Sequence, residues 1–476
     1  MSTELIVERR SPLPVSPDEA FAWHARPGAP ESLVPPWIGI EVLEHTGQGL
    51  APGSRTRFRA RPCGLHGFTA EHEHADVEPG RGFTDIQVEG PFDRWMHTHR
   101  FEPDPEHPGR SVVHDRIVCE LPLGLRLGRR RVRHELIRIL AYRHAVTAAD
   151  LAMHARAPRP LHVGVTGASG FIGSLLVPVL TTGGHRVTRL VRRPAGEGEI
   201  QWGRERGRGG GSGEFELEPR LLRGMDAIVH LAGENIARGW TEARKREIRE
   251  SRSRGTRVLA GAMGRALDHD GPRVLVSASA IGIYGDRGEE TLTEASPAGT
   301  GFLPEVAKEW EQATEPAEAA GIRVVRLRIG LPLSPAGGLL QRMLPPFRLG
   351  VGGKLGSGKQ WMSWISADDL GEVFHLALTR ETVRGPVNTV GPEPVRNADF
   401  TRAVGRALGR PTVLPVPSVA LRVLFGEMAD QAILASLRVT PYVLRGMGHR
   451  YRHETLEAAL KHVLGVTSAD YPEDAI

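Results

Sequence analysis

The stretch His162-Val163-Gly164-Val165-Thr166-Gly167-Ala168-Ser169-Gly170-Phe171-Ile172-Gly173-Ser174-Leu175-Leu176-Val177 decides how this 476-residue chain is read. It opens as a short apolar strand and closes as the start of a helix. Between them lie three glycines spaced three residues apart. In that context each glycine has its own task. Gly167 permits the tight strand-to-helix turn, Gly170 lets backbone amides approach a pyrophosphate, and Gly173 lets the helix lie close on the sheet. The helix N-terminus adds unpaired donors and partial positive charge for an anion. After Gly183-Gly184, Arg186–Val191 supplies the next strand and completes a β-α-β unit. The run from Val163 to Gly184 is uncharged and long enough to cross a bilayer. Its glycine spacing favours strand, turn and helix, so no membrane association is expected.

The end of that second strand sets the expected cofactor. A free ribose 2′-hydroxyl is usually met by an acid about twenty residues after the glycines. Here the chain reads Val191-Arg192-Arg193-Pro194. Two guanidiniums suit a 2′-phosphate, because arginine makes bidentate charge-assisted bonds to phosphate oxygens. NADP is therefore expected in preference to NAD.

Two further segments extend the α/β pattern. Asp226–Asn235 reads as a buried strand ending in small residues, and Val274–Gly285 as a strand ending in hydroxyls. With the glycine loop, these resemble an extended short-chain dehydrogenase/reductase of the NAD-dependent epimerase/dehydratase superfamily. The stretches AGENIARGWTEARKREIRESR, SASAIGIYGDRGEE, MLPPFRLGVGGKLGSGKQWMSWISADDL and GPVNTVGPEPVRNADF narrow the resemblance. They are similar to the epimerase family protein subgroup, whose C-terminal domain of unknown function is matched by about residues 425–471, including GEMAD. The resemblance implies that Gly167, Ser169, Gly170, Phe171, Ile172 and Gly173 border the pyrophosphate. It further implies that Arg192, with Arg193 beside it, meets the adenosine phosphate, and that Leu231, Ala232 and Gly233 line the nucleotide cleft. Ser279, or alternatively Ser277, would polarise a substrate carbonyl, and Glu234 would reach ribose or substrate.

One feature of active relatives is missing. Their Tyr-x-x-x-Lys supplies a proton donor and a lysine that lowers its pKa. The corresponding region reads Gly301-Phe302-Leu303-Pro304-Glu305-Val306-Ala307-Lys308. Phe302 or Leu303 stands for the tyrosine and Val306 or Ala307 for the lysine. Glu234, Glu305 and Tyr284 are the remaining acid/base candidates, and Lys308 a candidate ribose contact. Lys359, Gln360, Trp361, Ser363, Trp364, Asp368 and Asp369 fall where extended relatives build substrate contacts, with Asp368-Asp369 expected to cap the following helix.

Residues 1–155 have a different character. A strand from Thr3, a short helix opened by Ser16-Pro17-Asp18-Glu19, segments at 54–61, 66–78, 83–89, 93–102 and 111–121, and a helix over 132–154 follow one another. This order resembles the helix-grip fold of the polyketide-cyclase and lipid-transfer (START-like, SRPBCC) superfamily, which implies an apolar-ligand cavity. The expected organisation is an α+β helix-grip domain over 1–155, a proline-containing linker over 156–161, a Rossmann-type doubly wound α/β domain over 162–424, and a small C-terminal helical subdomain over 425–471.

Composition removes other classes. The charge of +5 invites a nucleic-acid reading, but five lysines against 56 arginines point to codon bias, and no basic stripe is interleaved with aromatics. No nucleic-acid partner is expected. Arg129–Arg133 reads as a solvated turn and 203–213 as a flexible surface loop. Two cysteines, Cys63 and Cys119, and the absence of a signal-like apolar core point to the cytoplasm. The pairs His72/His74 and His97/His99 could each face one way on a strand, but an intervening strand separates them, so no metal site is expected. Two functions fit: an NADP-dependent oxidoreductase or epimerase-like protein acting on a small-molecule substrate, or a non-catalytic or weakly catalytic NADP(H)-binding sensor or binding protein coupled to the apolar-ligand-binding domain.

Overall fold

The computed structural model describes residues 4–60, 67–203, 215–237 and 239–466. Cys63 and all but the first residue of the glycine-arginine insert lie outside the described residues. The chain divides into two compact units, one comprising residues 1–158, 178–184 and 461–476, the other 159–177 and 185–460.

The first unit is α+β. Its antiparallel sheet contains β1 (Glu4–Leu13), β2 (Ile40–Thr46), β3 (Arg55–Ala60), β4 (Phe68–Glu78), β5 (Gly82–Glu89), β6 (Arg94–Pro103) and β7 (Ser111–Glu120), in the order β1-β7-β6-β5-β4-β3-β2. Helix α1 (Pro17–Ala25) begins as its residue types require: Ser16 Oγ accepts the Glu19 N–H at 3.4 Å, and Pro17 occupies the first turn. A four-residue α2 (Ala29–Ser32) precedes β2, a strand the sequence reading missed because Ile40–Thr46 is mostly charged or exposed. The long α3 spans Arg129–His154. The arginine run is thus its first turns rather than a solvated turn, since arginine has good helix propensity and no breaker lies between Arg129 and Val132.

Alternation along the strands gives the sheet an inner face toward α3. Leu13, Trp23, Phe83, Phe101, Val113 and Leu151 form an apolar cluster at one end of that face. Leu5, Val7, Ile117, Cys119, Leu136 and Leu140 form another. Between them runs a band of buried His97, His99, Asp115 and His144.

The second unit is built on a parallel sheet. Its strands β8 (His162–Thr166), β9 (Arg186–Val191), β10 (Glu199–Gln201), β11 (Ala227–His230), β12 (Val274–Ala280), β13 (Arg323–Ile329) and β14 (Gly385–Thr389) lie in the order β10-β9-β8-β11-β12-β13-β14. Every neighbouring pair is parallel. From β8 the chain first winds through β9 to β10, then crosses back to β11 and continues the other way. The switch point therefore lies between β8 and β11, where open α/β sheets bind ligands beyond the strands' carboxyl ends. Three helices flank the site: α4 (Phe171–Thr182), α5 (Glu242–Ala266) and α6 (Phe302–Gln312). Short helices at Ser418–Phe425 and Tyr442–Gly446 follow the last sheet strand.

Ser366, not the Asp368-Asp369 pair, caps the helix Ala367–Thr379, its Oγ accepting the Asp369 N–H at 3.0 Å. Asp369 is one turn inside. Its carboxylate accepts from the Ser366 hydroxyl at 2.6 Å and from the Arg452 N–H at 2.7 Å. Among the described residues no helix is long and apolar enough to cross a membrane.

Candidate nucleotide site

The three glycines of the β8–α4 loop do different work. Gly167 has φ +67°, and a Cβ there would lie 2.9 Å from the Leu231 carbonyl carbon, so backbone conformation and space both demand glycine. A Cβ on Gly173 would fall 2.3 Å from Gly167 O and 2.6 Å from Ala168 Cα. That close approach lets the first turn of α4 sit against its own loop. At Gly170 an added Cβ would meet only Gly167 O, at 3.2 Å. Ser169 and Gly170 form the exposed tip, while Phe171 and Ile172 are half-buried. The fold thus has a reason for Gly167 and Gly173 and only a slight one for Gly170.

A clasp that sequence reading missed joins this loop to the facing strand end. Thr166 closes β8, and its Oγ1 accepts the N–H groups of Leu231 at 3.1 Å and Ala232 at 3.3 Å. It also lies 2.8 Å from His230 Nδ1, while His230 Nε2 lies 2.9 Å from Thr256 Oγ1. Burial pushes the His230 imidazole down to about 3, so it is neutral. The neutral tautomer with its proton on Nε2 satisfies every group: Thr166 O–H donates to Nδ1 and Nε2–H donates to Thr256. The Leu231-Ala232-Gly233 segment is thereby held beside the glycine loop at the switch point.

The two arginines after β9 differ. Both are exposed. Arg193 is committed to Glu199 through two bonds of 2.7 Å. Arg192 makes no hydrogen bond or ion pair among the described residues, leaving its guanidinium free. Glu234 accepts from Arg244 at 3.0 Å, and its N–H is taken by Ser251 Oγ at 3.1 Å. A second cation, unremarked in the sequence, lies nearby. Arg252 on α5 places its guanidinium 3.2 Å from where a Cβ on Gly233 would stand and 5.0 Å from the Trp310 ring centre. Burial lowers its pKa to about 10, so it remains charged near neutrality.

The expected catalytic hydroxyls are both enclosed. Ser277 and Ser279 face the same way on β12. Ser277 donates to the Ala278 carbonyl at 3.2 Å. Ser279, 3% exposed, donates to Glu311 Oε1 on α6 at 2.7 Å. Glu311 in turn holds Arg328 through two bonds of 2.9 Å. Arg328 donates to the Tyr284 hydroxyl at 2.9 Å, which donates to Asn388 Oδ1 at 2.6 Å. Tyr284 is fully buried in this chain of bonds, and burial raises its pKa. On α6, Phe302 and Val306 pack with Ile248, and Ala307 packs with Ile281 and Ile283. Lys308 is exposed, and Glu305 pairs with Arg249 at 2.9 Å.

The residues 354–370 are mostly spent on the fold. Gln360 donates to Leu355 O, Ser363 to Leu437 O and the Trp364 indole to Glu393 O. Trp361 lies against the guanidiniums of Arg396 and Arg438, at 4.1 and 4.7 Å, and Lys359 is exposed.

This geometry has close parallels among known proteins. The NAD-dependent epimerase/dehydratase family profile matches residues 163–391, and that of a domain of unknown function, DUF1731, matches residues 416–463. An epimerase family protein of Mycobacterium bovis is 46% identical over 300 residues, which cover 63% of this chain and 96% of that relative. The chain belongs to the NAD-dependent epimerase/dehydratase family. The human family member SDR39U1, in a crystal structure described as containing NADPH, aligns with TM-score 0.57 and 34% identity over 64% of this chain and all of that one. A structure described as a nucleoside-diphosphate sugar epimerase from Corynebacterium glutamicum aligns with TM-score 0.77 and 33% identity. That alignment covers 96% of this chain and 90% of the other, so this family member shares most of its length with a solved structure.

Proposed function

We propose that the second unit binds NADP(H) at the β8/β11 switch point, as part of an oxidoreductase or epimerase acting on a small molecule. The observation that carries this is the pairing of an open Gly170 tip with an unpaired Arg192 beyond β9. Gly167, Ser169, Gly170, Phe171, Ile172 and Gly173 would border the diphosphate, with backbone N–H groups and the α4 N-terminus as donors. Leu231, Ala232 and Gly233 would line the cleft, with Glu234 and Arg252 at its edge. Arg192 would take the 2′-phosphate, with Arg193 kept in place by Glu199. The NADPH in the human relative supports the cofactor choice, and the Corynebacterium relative's name supports a nucleotide-linked sugar as substrate class.

A second reading is favoured by the Ser279–Glu311 bond. With no tyrosine on α6, its one lysine, Lys308, exposed and Ser279 turned to Glu311, the cleft holds no ready proton donor among the described residues, as a cofactor-bound sensor would allow. Ser277 lies deeper still. The order of the first unit's strands, closed by a long helix, supports placing residues 1–155 in the helix-grip superfamily, with an apolar ligand held between sheet and α3. We further propose a cytoplasmic location.

The cofactor assignment is tested by titrating NADPH and NADH into wild type and Arg192→Ala. NADPH affinity falls at least tenfold and NADH affinity changes less than twofold; equal losses for both remove the 2′-phosphate role. Oxidation of NADPH in the presence of carbonyl compounds or nucleotide sugars separates the enzyme from the sensor.

A further inference from the structure

The buried polar band of the first unit is more than a set of scattered histidines. Strand register places His74 opposite Asp85, Asp85 opposite His97, and His99 opposite Asp115. β5 separates the two histidine pairs, and it brings a carboxylate between them. We propose that Asp85, His97 and His99 hold a divalent transition-metal ion of the zinc type. This does not rest on the nucleotide reading of the second unit.

The donor atoms of these three side chains all lie within 4.8 Å of one another. Ligands about 2.1 Å from a tetrahedral zinc ion are about 3.4 Å apart, so side-chain rotations of about an ångström close the set. The supporting contacts have the pattern metal sites use. His99 Nδ1 lies 2.9 Å from Asp115 Oδ1 and its Nε2 3.5 Å from Asp85 Oδ2, so with the Nδ1 proton held by Asp115, Nε2 is the ring atom that would exchange its proton for the ion. His74 Nδ1 holds the other Asp85 oxygen at 2.5 Å, so Oδ2 is left for the ion. His97 is 2% exposed, and its Nε2 makes no hydrogen bond, lying 3.4 Å from Asp115 Oδ2. A buried ring nitrogen without a hydrogen bond carries a desolvation cost that a metal bond would remove. The Asp85 side chain retains 19% exposure and offers the ion a way in. Two imidazoles and one carboxylate suit zinc, cobalt or nickel, whereas calcium and magnesium prefer all-oxygen sites.

The test uses the full chain, free of any histidine tag and stripped by a chelator. Titration with Co²⁺ gives one ion per chain, visible d–d absorption and a raised Tm, and Zn²⁺ abolishes the absorption. Asp85→Asn and His97→Gln each weaken uptake at least a hundredfold, while His114→Gln, whose imidazole faces Glu8 on the outer surface, leaves it unchanged. Should either variant fail to fold, stoichiometry, absorption and Tm in the wild type alone still decide the matter. No uptake and no Tm change, or uptake undiminished in folded Asp85→Asn and His97→Gln, means a carboxylate–imidazole network without a metal and overturns the proposal.

Discussion

Gly170 and His230 show how differently single residues serve one site. The first is a glycine that the fold barely requires, since an added Cβ meets one carbonyl oxygen at 3.2 Å. The second is buried because the clasp between β8 and β11 requires a group able to accept at one ring atom and donate at the other. Its folded pKa, about 3, lies below the ordinary value of 6.5. The unfolded chain therefore takes up a proton that the folded chain excludes between those values, and stability contributed by neutral His230 is lost as pH falls below 6.5. Thermal melts of wild type and His230→Gln will show the wild type's advantage shrinking from pH 7.5 to pH 5. A gap independent of pH would mean that His230 titrates alike in both states.

At the scale of elements, α6 meets β13 through an ion pair and β12 through a hydroxyl rather than through a catalytic dyad. The Glu311 and Arg328 side chains are only 11% and 9% exposed, and Ser279 adds its hydroxyl to the same carboxylate. Removing one partner of a buried pair leaves the other charge uncompensated, which costs about 3–5 kcal/mol. Glu311→Gln will lose that amount in denaturant unfolding, while Ser279→Ala, giving up one hydrogen bond to a charged group, will lose about 2 kcal/mol. Similar small losses for both would mean that solvent reaches Arg328. The element scale also marks where sequence reading reached its limit. The glycine loop was legible because its residues are neighbours in sequence and each spacing has a mechanical meaning. The Thr166–His230 clasp joins residues 64 apart through sheet order, and Glu311 reaches Ser279 through the phase of α6. No local pattern encodes either. Ser366 was passed over as a cap because two adjacent acids gave the stronger local signal.

For the molecule as a whole, the alternation of strands and helices beyond residue 161 announced a parallel sheet, and short strands bounded by Pro and Gly announced an antiparallel one. Among the described residues each of the two large sheets contains seven strands. In the first sheet β2, largely exposed, was not read, and in the second β10, β13 and β14 were not assigned as strands from the sequence. The register that brings Asp85 between His74 and His97 could not be read, because hairpin lengths and the irregular β4–β5 ladder set it. The proposed site of the second unit lies where β8 and β11, distant in sequence, run side by side, whereas the histidine–aspartate cluster of the first is built from the consecutive strands β4 to β7. In the second unit we propose that backbone amides from Gly167 to Gly173 receive a dinucleotide's diphosphate. Calorimetric titration of the folded chain with NADPH tests it most directly, with Gly170→Val as comparison. One site per chain is expected in the wild type, and at least a hundredfold weaker binding in a variant that keeps the wild-type Tm to within a few degrees. No heat with NADPH or NADH in the wild type, or equal affinity in folded Gly170→Val, would contradict it.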